Sequence, residues 1–321
     1  MATLLIILAA VLISNGAATA TVKSNRYRTM GLNGKAFKNN ILFESRARST
    51  RDCAVICNQQ ECCDTFTIDG DVCRGHGILG MFTSSFGEAP GAKSYSKNLA
   101  VLYPAVIKPR DCVEAQPYMN ESGVITIYPE GDNIGLQVYC DHDTTCGGWL
   151  VFQRRQDGSV DFYRDWNQYQ QGFGSMNGEF WWGLDVLHML TSRQEQELRV
   201  DLMKWDGTKG YATYSNFSIS DSSNNYRLNL GSFTGGNAGD SILHTHGGMQ
   251  FTTRDRDNDR QSGYNCAEFY HGAWWYRSCF TSKLNGLYMT GSSDPQTQGI
   301  QWERFARTSS LKFAEMKIRA A

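Results

Sequence analysis

Much of the chain is built from short runs of apolar residues separated by glycine, serine, asparagine and aspartate. Glu197-Leu198-Arg199-Val200-Asp201-Leu202 alternates polar and apolar and predicts a half-buried strand. The stretches 123–128, 136–140 and 147–155 are rich in β-branched and aromatic residues and predict further strands. In 183–191 the apolar positions 184, 187 and 190 follow the helical period and predict a short helix. Beyond about residue 205 the density of Gly, Ser, Asn and Asp rises, and long loops are expected. Nearer the N-terminus, Ser49 or Thr50 can cap a helix on which Cys53 and Cys57 fall at i and i+4, on one face. Thr65-Phe66-Thr67-Ile68 reads as a strand ending in an Asp69-Gly70 turn. The expected fold class is α+β. No internal repeat or sustained heptad pattern is present, so nothing visible would trimerise the chain through a stalk.

Composition narrows the setting. The 321 residues suffice for two or more domains. The net charge of −1 provides no global basic field for nucleic acid or an anionic membrane. Residues 1–20 read as a secretory signal, with an apolar run from Leu4 to Ile13 and Ala18-Thr19-Ala20 before the cut. That run is too short for a membrane anchor. Ten cysteines in a secreted chain imply disulfides. Cys53, Cys57, Cys62, Cys63 and Cys73 form an early group, and Cys112, Cys140, Cys146, Cys266 and Cys279 a late one. Both groups are odd. Either one bridge crosses between them, or one cysteine of each stays free or pairs with another chain. Two sequons, at Asn120 and Asn216, can carry glycans.

The densest chemistry lies between residues 252 and 288. Asp255, Asp257 and Asp259 offer hard oxygen ligands at alternate positions. An EF-hand loop counted from Asp255 fails, because its glycine position holds Arg260 and its twelfth position Cys266. A calcium-binding turn and a merely solvated acidic turn both remain open on these residues alone. Cys266 and Cys279 can cinch the loop between them, which carries Tyr270, Trp274, Trp275 and Tyr276. Burial in the core is the expected fate of Trp274 and Trp275. His244-Thr245-His246 has no neighbouring cysteine or carboxylate pair to complete a zinc site. Asp141-His142-Asp143 reads as a solvated turn. No nucleophile elbow, His-Glu-x-x-His, P-loop or dinucleotide fingerprint appears, so an enzyme is not expected.

Ordered motifs run through the second part of the chain: Gly147-Gly148-Trp149, Asp161-Phe162-Tyr163-Arg164-Asp165-Trp166, Gly178-Glu179-Phe180-Trp181, Asp257-Asn258-Asp259, Asn265-Cys266-Ala267, Gly272-Ala273-Trp274-Trp275-Tyr276, Leu284-Asn285-Gly286 and Glu315-Met316-Lys317-Ile318-Arg319. On these, residues 110–321 resemble the fibrinogen C-terminal domain of fibrinogen chains, ficolins, tachylectins, angiopoietins and tenascins. The early cysteine pattern over residues 25–98 resembles the PAN/apple family, and 99–109 reads as a linker. The fibrinogen resemblance implies disulfides Cys112–Cys140 and Cys266–Cys279. Cys146 is then extra and is expected to pair with an early cysteine.

The same resemblance implies a calcium site formed by the side chains of Asp257 and Asp259 and the backbone carbonyls of Gln261 and Gly263. It also implies a ligand pocket at Tyr270, Ser278, Cys279 and Phe280, with a cis Ser278–Cys279 peptide that turns the Cys279 and Phe280 amides toward the ligand. Acetyl-binding relatives carry histidine where this chain has Phe280, and their Tyr-Ala-x-Gly-x-x-Trp segment appears here as 296–302. Arg307 stands where an aromatic is usual and adds a cation. The expected function is calcium-dependent recognition of surface glycans or glycoproteins by a secreted protein acting in innate defence. Homo-oligomerisation would supply avidity, and no nucleic acid or membrane span is expected. The rival expectation is a receptor ligand or matrix component, as angiopoietins and tenascins imply.

Overall fold

The computed structural model describes residues 28–29, 35–37, 41–59, 63, 65–76, 86–88, 93–96, 108–116, 119, 121–129 and 135–321. The expected leader, most of the 99–109 linker, Cys62 and the Asn120 sequon lie outside the described residues. The chain divides into two compact units. One gathers the residues up to 107 with the segments Ala115–Glu121 and His142–Gly147, and the other takes the remainder.

In the first unit the helix Thr50–Gln59 accompanies a five-stranded antiparallel sheet. Ser49 caps the helix by accepting the Asp52 amide on its hydroxyl at 3.2 Å. The strands Thr65–Asp69 and Val72–His76 form a tight hairpin. Its turn uses Gly70 at φ +60°, a backbone conformation that glycine adopts without steric cost. Cys53 and Cys57 share a buried helix face, as their spacing predicts. Cys53–Cys73 staples the helix to the sheet, and Cys57–Cys63 closes the chain just beyond it. Phe66, Ile68 and Ala54 complete a small core around the sulfurs. A core of this size ordinarily needs such staples.

The second unit is organised on a nine-stranded sheet. Its centre is Phe313–Ala320, lying antiparallel between Trp149–Arg155 and Gln196–Met203. Gln196–Met203 alternates buried and half-buried side chains along its whole length, matching its sequence pattern. The helix Leu184–Thr191 buries Leu184, Leu187 and Leu190, the residues that carry its period. Gly123–Ile127 and Leu136–Asp141 are the strands expected there, and Cys112–Cys140 ties the second to the start of the unit. Beyond residue 205 the strand Lys209–Tyr214 pairs with Gln196–Met203 over six residues, and the long loops expected there follow it, with two four-residue helices between Gly235 and Ser282. Cys146 is disulfide-bonded, with a partner outside the described residues.

Charge is built into the middle of this sheet. Lys317 is buried, with its Nζ 2.5 Å from Asp141, 2.7 Å from Glu315 and 2.8 Å from Asp201. Burial disfavours its ammonium, but the three carboxylates outweigh that and raise its pKa. Glu315 also pairs with Arg154 at 2.5 Å. The expectation of a solvated Asp141 is thereby corrected, since it is a buried strand residue paired across the sheet. Removing one member of a buried pair leaves its partners uncompensated, at a cost of about 3–5 kcal/mol. Lys317→Ala is therefore expected to lower unfolding stability by about that amount in urea titration. A change under 1 kcal/mol would show that the cluster is effectively solvated.

Candidate functional site

The site is carried on loops, and the central sheet holds them in place. Gln153, on Trp149–Arg155, donates to the Leu284 carbonyl and the Asn285 side chain, both at 3.2 Å. Arg155, fully buried beside Glu179, donates to the Leu284 carbonyl at 3.2 Å and to that of Gly286 at 2.6 Å. The Leu284-Asn285-Gly286 turn thus sits on a rigid strand. Gly272 of the cinched loop packs against it so closely that a Cβ would lie 2.4 Å from the Asn285 carbonyl oxygen, so only glycine fits. Trp274, Trp275 and Tyr276 are fully buried and belong to the core, as their size suggests. Trp274 is joined to Thr252 by a pair of backbone hydrogen bonds, which pins the acidic loop to the cinched loop.

The three aspartates have distinct roles. Asp255 accepts the Trp166 amide at 2.9 Å and the Thr253 hydroxyl at 2.8 Å, so it locks its loop to the helix Trp166–Gln171. Asp257 is exposed and accepts the Asp259 amide at 3.1 Å. Asp259 is half-buried and accepts the amides of Gln261 at 2.7 Å and Cys266 at 2.8 Å. Burial raises the Asp259 pKa, and the Asp257 charge raises it further, against the lowering effect of the two amides. Two adjacent carboxylates, one of them partly desolvated, form an oxygen-rich pair suited to a hard cation. Among the described residues no hydrogen bond occupies the carbonyls of Gln261 or Gly263, so both are free to complete such a shell. Among the described residues no three His, Cys, Asp or Glu side chains are placed so that they could hold a metal ion together, so backbone oxygens would have to supply the rest.

Immediately after Asp259 comes the cinched loop. Asn265 caps the helix Cys266–Phe269 by accepting the Ala267 and Glu268 amides. Its Nδ2 reaches back to the carbonyls of Thr253 and Arg254. The Cys266–Cys279 bridge is formed, and the Ser278–Cys279 peptide is cis. Tyr270 and Phe280 meet edge to face at 4.9 Å, and Phe269 joins Tyr270 at 4.8 Å. Tyr264 lies 4.7 Å from Phe269, with its hydroxyl 3.8 Å from the Cys279 sulfur. Phe269 is 55 % exposed and Tyr264 39 %, so the rim presents aromatic surface to solvent. Burial raises the Tyr270 pKa, and its interaction with Tyr264 raises it further. Arg307 stands apart. It ends the helix Glu303–Ala306 at φ +53°, is exposed, and makes no cation–ring contact with Tyr270 or Phe280 among the described residues.

Two residues behind this rim have roles that the sequence did not indicate. His246 is fully buried; its Nδ1 lies 2.7 Å from the Trp275 carbonyl, and its Nε2 3.2 Å from the amides of both Thr281 and Ser282. Those partners require a proton on Nδ1 and none on Nε2. Burial depresses its pKa from 6.5 to about 4. Lys283, also fully buried, donates to the carbonyls of Tyr270 at 2.6 Å, Gln298 at 2.9 Å and Thr297 at 3.1 Å. The Asn265 cap, by contrast, is a local signal, an N-cap residue directly before a short helix.

Comparison with known proteins identifies the domain that carries these loops. The family model for the C-terminal globular domain of fibrinogen beta and gamma chains matches residues 108–321. Fibrinogen C domain-containing protein 1-A of Xenopus laevis is 47 % identical over 221 residues, which cover 66 % of this chain and 47 % of that protein. Fibrinogen C domain-containing protein 1 of Mus musculus is 47 % identical over 205 residues, 62 % of this chain and 44 % of that protein. The chain therefore spans less than half the length of these relatives. The fibrinogen-like globe domain of human ANGPTL6 superposes with a TM-score of 0.63 at 41 % identity, covering 68 % of this chain and 99 % of that one. Lamprey fibrin D-dimer, complexed with the peptide Gly-His-Arg-Pro-amide, gives a TM-score of 0.60 at 34 % identity, covering 67 % and 74 %. The domain and the four disulfides among the described residues support an extracellular ligand-binding role, and nothing points to catalysis. No helix among the described residues is long and apolar enough to cross a membrane.

The His246 arrangement has a consequence for pH. The unfolded chain takes up the imidazole proton near 6.5, whereas the folded chain does so only near 4. Between those values the unfolded state binds more protons, so this contribution to stability is complete above about 6.5 and is lost as pH falls toward 4. Urea titrations of the wild type and of His246→Gln across that window are expected to show a shallower acid loss in the variant. Parallel curves would exclude His246 as a source of the acid sensitivity.

Proposed function

Because the chain belongs to the fibrinogen C-terminal domain family over residues 108–321, we propose that it is a secreted, calcium-dependent recognition protein for glycans on cell surfaces, acting in innate defence. The observation that carries this reading is the direct link between the acidic turn and the rim. One carboxylate oxygen of Asp259 holds the amide of Cys266, the residue whose disulfide closes the ligand loop. Calcium would be held by the side chains of Asp257 and Asp259 and the carbonyls of Gln261 and Gly263. When bound it would supply charge neutralisation and rigidity. This chain's own residues would do the recognition, with Tyr270 and Phe280, whose rings meet edge to face, walling the pocket beside Ser278 and Cys279.

A single site of this kind would bind weakly, so useful avidity needs several copies. Self-association of the N-terminal unit would provide them. We assign that unit to the PAN/apple type on its helix stapled to an antiparallel sheet by Cys53–Cys73. Asn216 is exposed and fits the role of a glycan carrier. A receptor-binding or matrix role is the second reading. Phe280 favours it, because this side chain lacks the hydrogen-bond donor that acetyl-binding relatives present there.

A glycan array with and without chelator separates the two readings. The lectin reading expects a sugar class whose binding disappears in EDTA, whereas capture of a membrane receptor with no glycan signal favours the second. Calcium at a hundred times its Kd adds about 2.7 kcal/mol of stability. For a unit of this size that raises Tm by roughly 5–10 °C. Asp257→Ala is expected to abolish both that rise and the calcium-dependent binding. A variant with the same Tm as the wild type in calcium and in EDTA would falsify the metal assignment.

A further inference from the structure

Lys283 is an anomaly. A fully buried ammonium is costly unless paired, and no carboxylate among the described residues lies within ion-pair distance of its Nζ. It is balanced instead by dipoles: three carbonyl oxygens, from Tyr270, Thr297 and Gln298, match the three protons of the charged form. Its Nζ also lies 5.2 Å from the centre of the Phe280 ring and 5.6 Å from that of Tyr270. The cation therefore sits beneath the two rings that wall the candidate pocket, and it joins the Tyr270 turn to the 297–298 loop.

The surrounding charges do not cancel it at the rim. Asp294 is the carboxylate that acts on it most strongly, but its oxygens are occupied by the amides of Gln298 and Gly299 and by the Gln301 side chain, at 2.5–2.8 Å. Arg155 adds positive charge from the sheet side and is paired with Glu179. On the cinched loop itself, Glu268 and Arg277 are exposed and of opposite charge, and His271 is half-buried with its ring 4.9 Å from that of Tyr163. Burial pulls the Lys283 pKa down to about 7, with Asp294 acting against that pull.

Resting on the reading of this rim as a glycan site, we propose that Lys283 is a specificity-determining residue that biases the Tyr270–Phe280 rim toward saccharides bearing an anionic group, a carboxylate or a sulfate. It does so through its field across a water-poor layer of aromatic side chains, without touching the ligand. A unit charge at such a distance, in a medium of intermediate dielectric, is worth on the order of tenfold in affinity.

The test uses the full-length protein in calcium, with 3′-sialyllactose and 3′-sulfolactose as the two anionic probes and lactose and N-acetyllactosamine as neutral ones. The wild type is expected to prefer at least one anionic probe over the neutral ones by about tenfold, and the probe chosen tells carboxylate from sulfate. Lys283→Met should lose the preference and Lys283→Arg should keep it. The wild type alone gives a second readout, independent of whether either variant folds. Its preference should be strong at pH 6 and fall by pH 8.5, as the ammonium loses its proton. In that range His246 stays neutral, since burial holds its pKa near 4, and the Tyr270 phenol, whose pKa is raised, keeps its proton. Glycan binding with no anionic preference, or with a preference unchanged in Lys283→Met or across pH 6–8.5, overturns the role of Lys283 while leaving the glycan reading intact. No binding to any saccharide removes the glycan reading itself, and this inference with it.

Discussion

One neutral imidazole ties the disulfide-closed aromatic loop to the core. His246 donates from Nδ1 to Trp275, inside the disulfide-closed segment, and accepts on Nε2 from Thr281 and Ser282, just beyond it. These three hydrogen bonds join the two arms on either side of Cys279 to a common point in the core. They add to the Tyr276–Phe280 ring contact at 6.1 Å and the Arg277 amide's bond to the Cys279 carbonyl, which also link the aromatic segment to the rim. The arrangement works only while the ring is uncharged, because a proton on Nε2 would turn an acceptor of two amides into a third donor with nothing to receive it. Burial enforces the neutral form.

Around that anchor the molecule uses buried charge in two different ways. Lys317 is surrounded by carboxylates on three strands, so its charge is neutralised and the sheet is cross-linked. Lys283 is surrounded by carbonyl dipoles, so its charge is solvated but not cancelled. The first arrangement suits a scaffold. The second leaves a field near the surface, and it lies beneath the aromatic rim. Arg155 serves the scaffold as well, paired with Glu179 while its guanidinium grips the turn at Leu284–Gly286. The candidate site is therefore carried on loops, and rigidity is delivered to them from the strand at 149–155.

The acidic turn and the rim are mechanically one object. Asp259 holds Gln261 and Cys266, Asn265 holds both its own helix and the backbone at 253–254, and Thr252 pairs with Trp274. In the proposed function, a cation held by Asp257 and Asp259 would act on the same short network that joins the acidic turn to the aromatic rim. That coupling, and no direct contact between metal and ligand, is the physical content of calcium dependence in the proposed function.

The strand at 196–203 and the helix at 184–191 were readable from local periodicity, because each buries one face and the apolar residues must mark it, and the strands at 123–127 and 136–141 were readable from their β-branched and aromatic content. The hairpin turn at Gly70 and the early helix were readable from turn and cap chemistry. The disulfide-closed aromatic loop and the paired aspartates stood out as clusters of residue types, and the fibrinogen resemblance followed from the order of the motifs. Only the tertiary structure separated the three aspartates, since the partner that occupies Asp255 is an amide 89 positions away. It alone moved Asp141 from a solvated turn into an ion cluster with Lys317, 176 positions distant. It alone revealed His246 and Lys283, whose roles come from carbonyls and amides brought to them by the fold. The sequence by itself determined which segments must bury a face and which side chains can bond; which buried polar group meets which partner was decided by long-range packing, because desolvation and hydrogen bonding depend on distance in space and not along the chain.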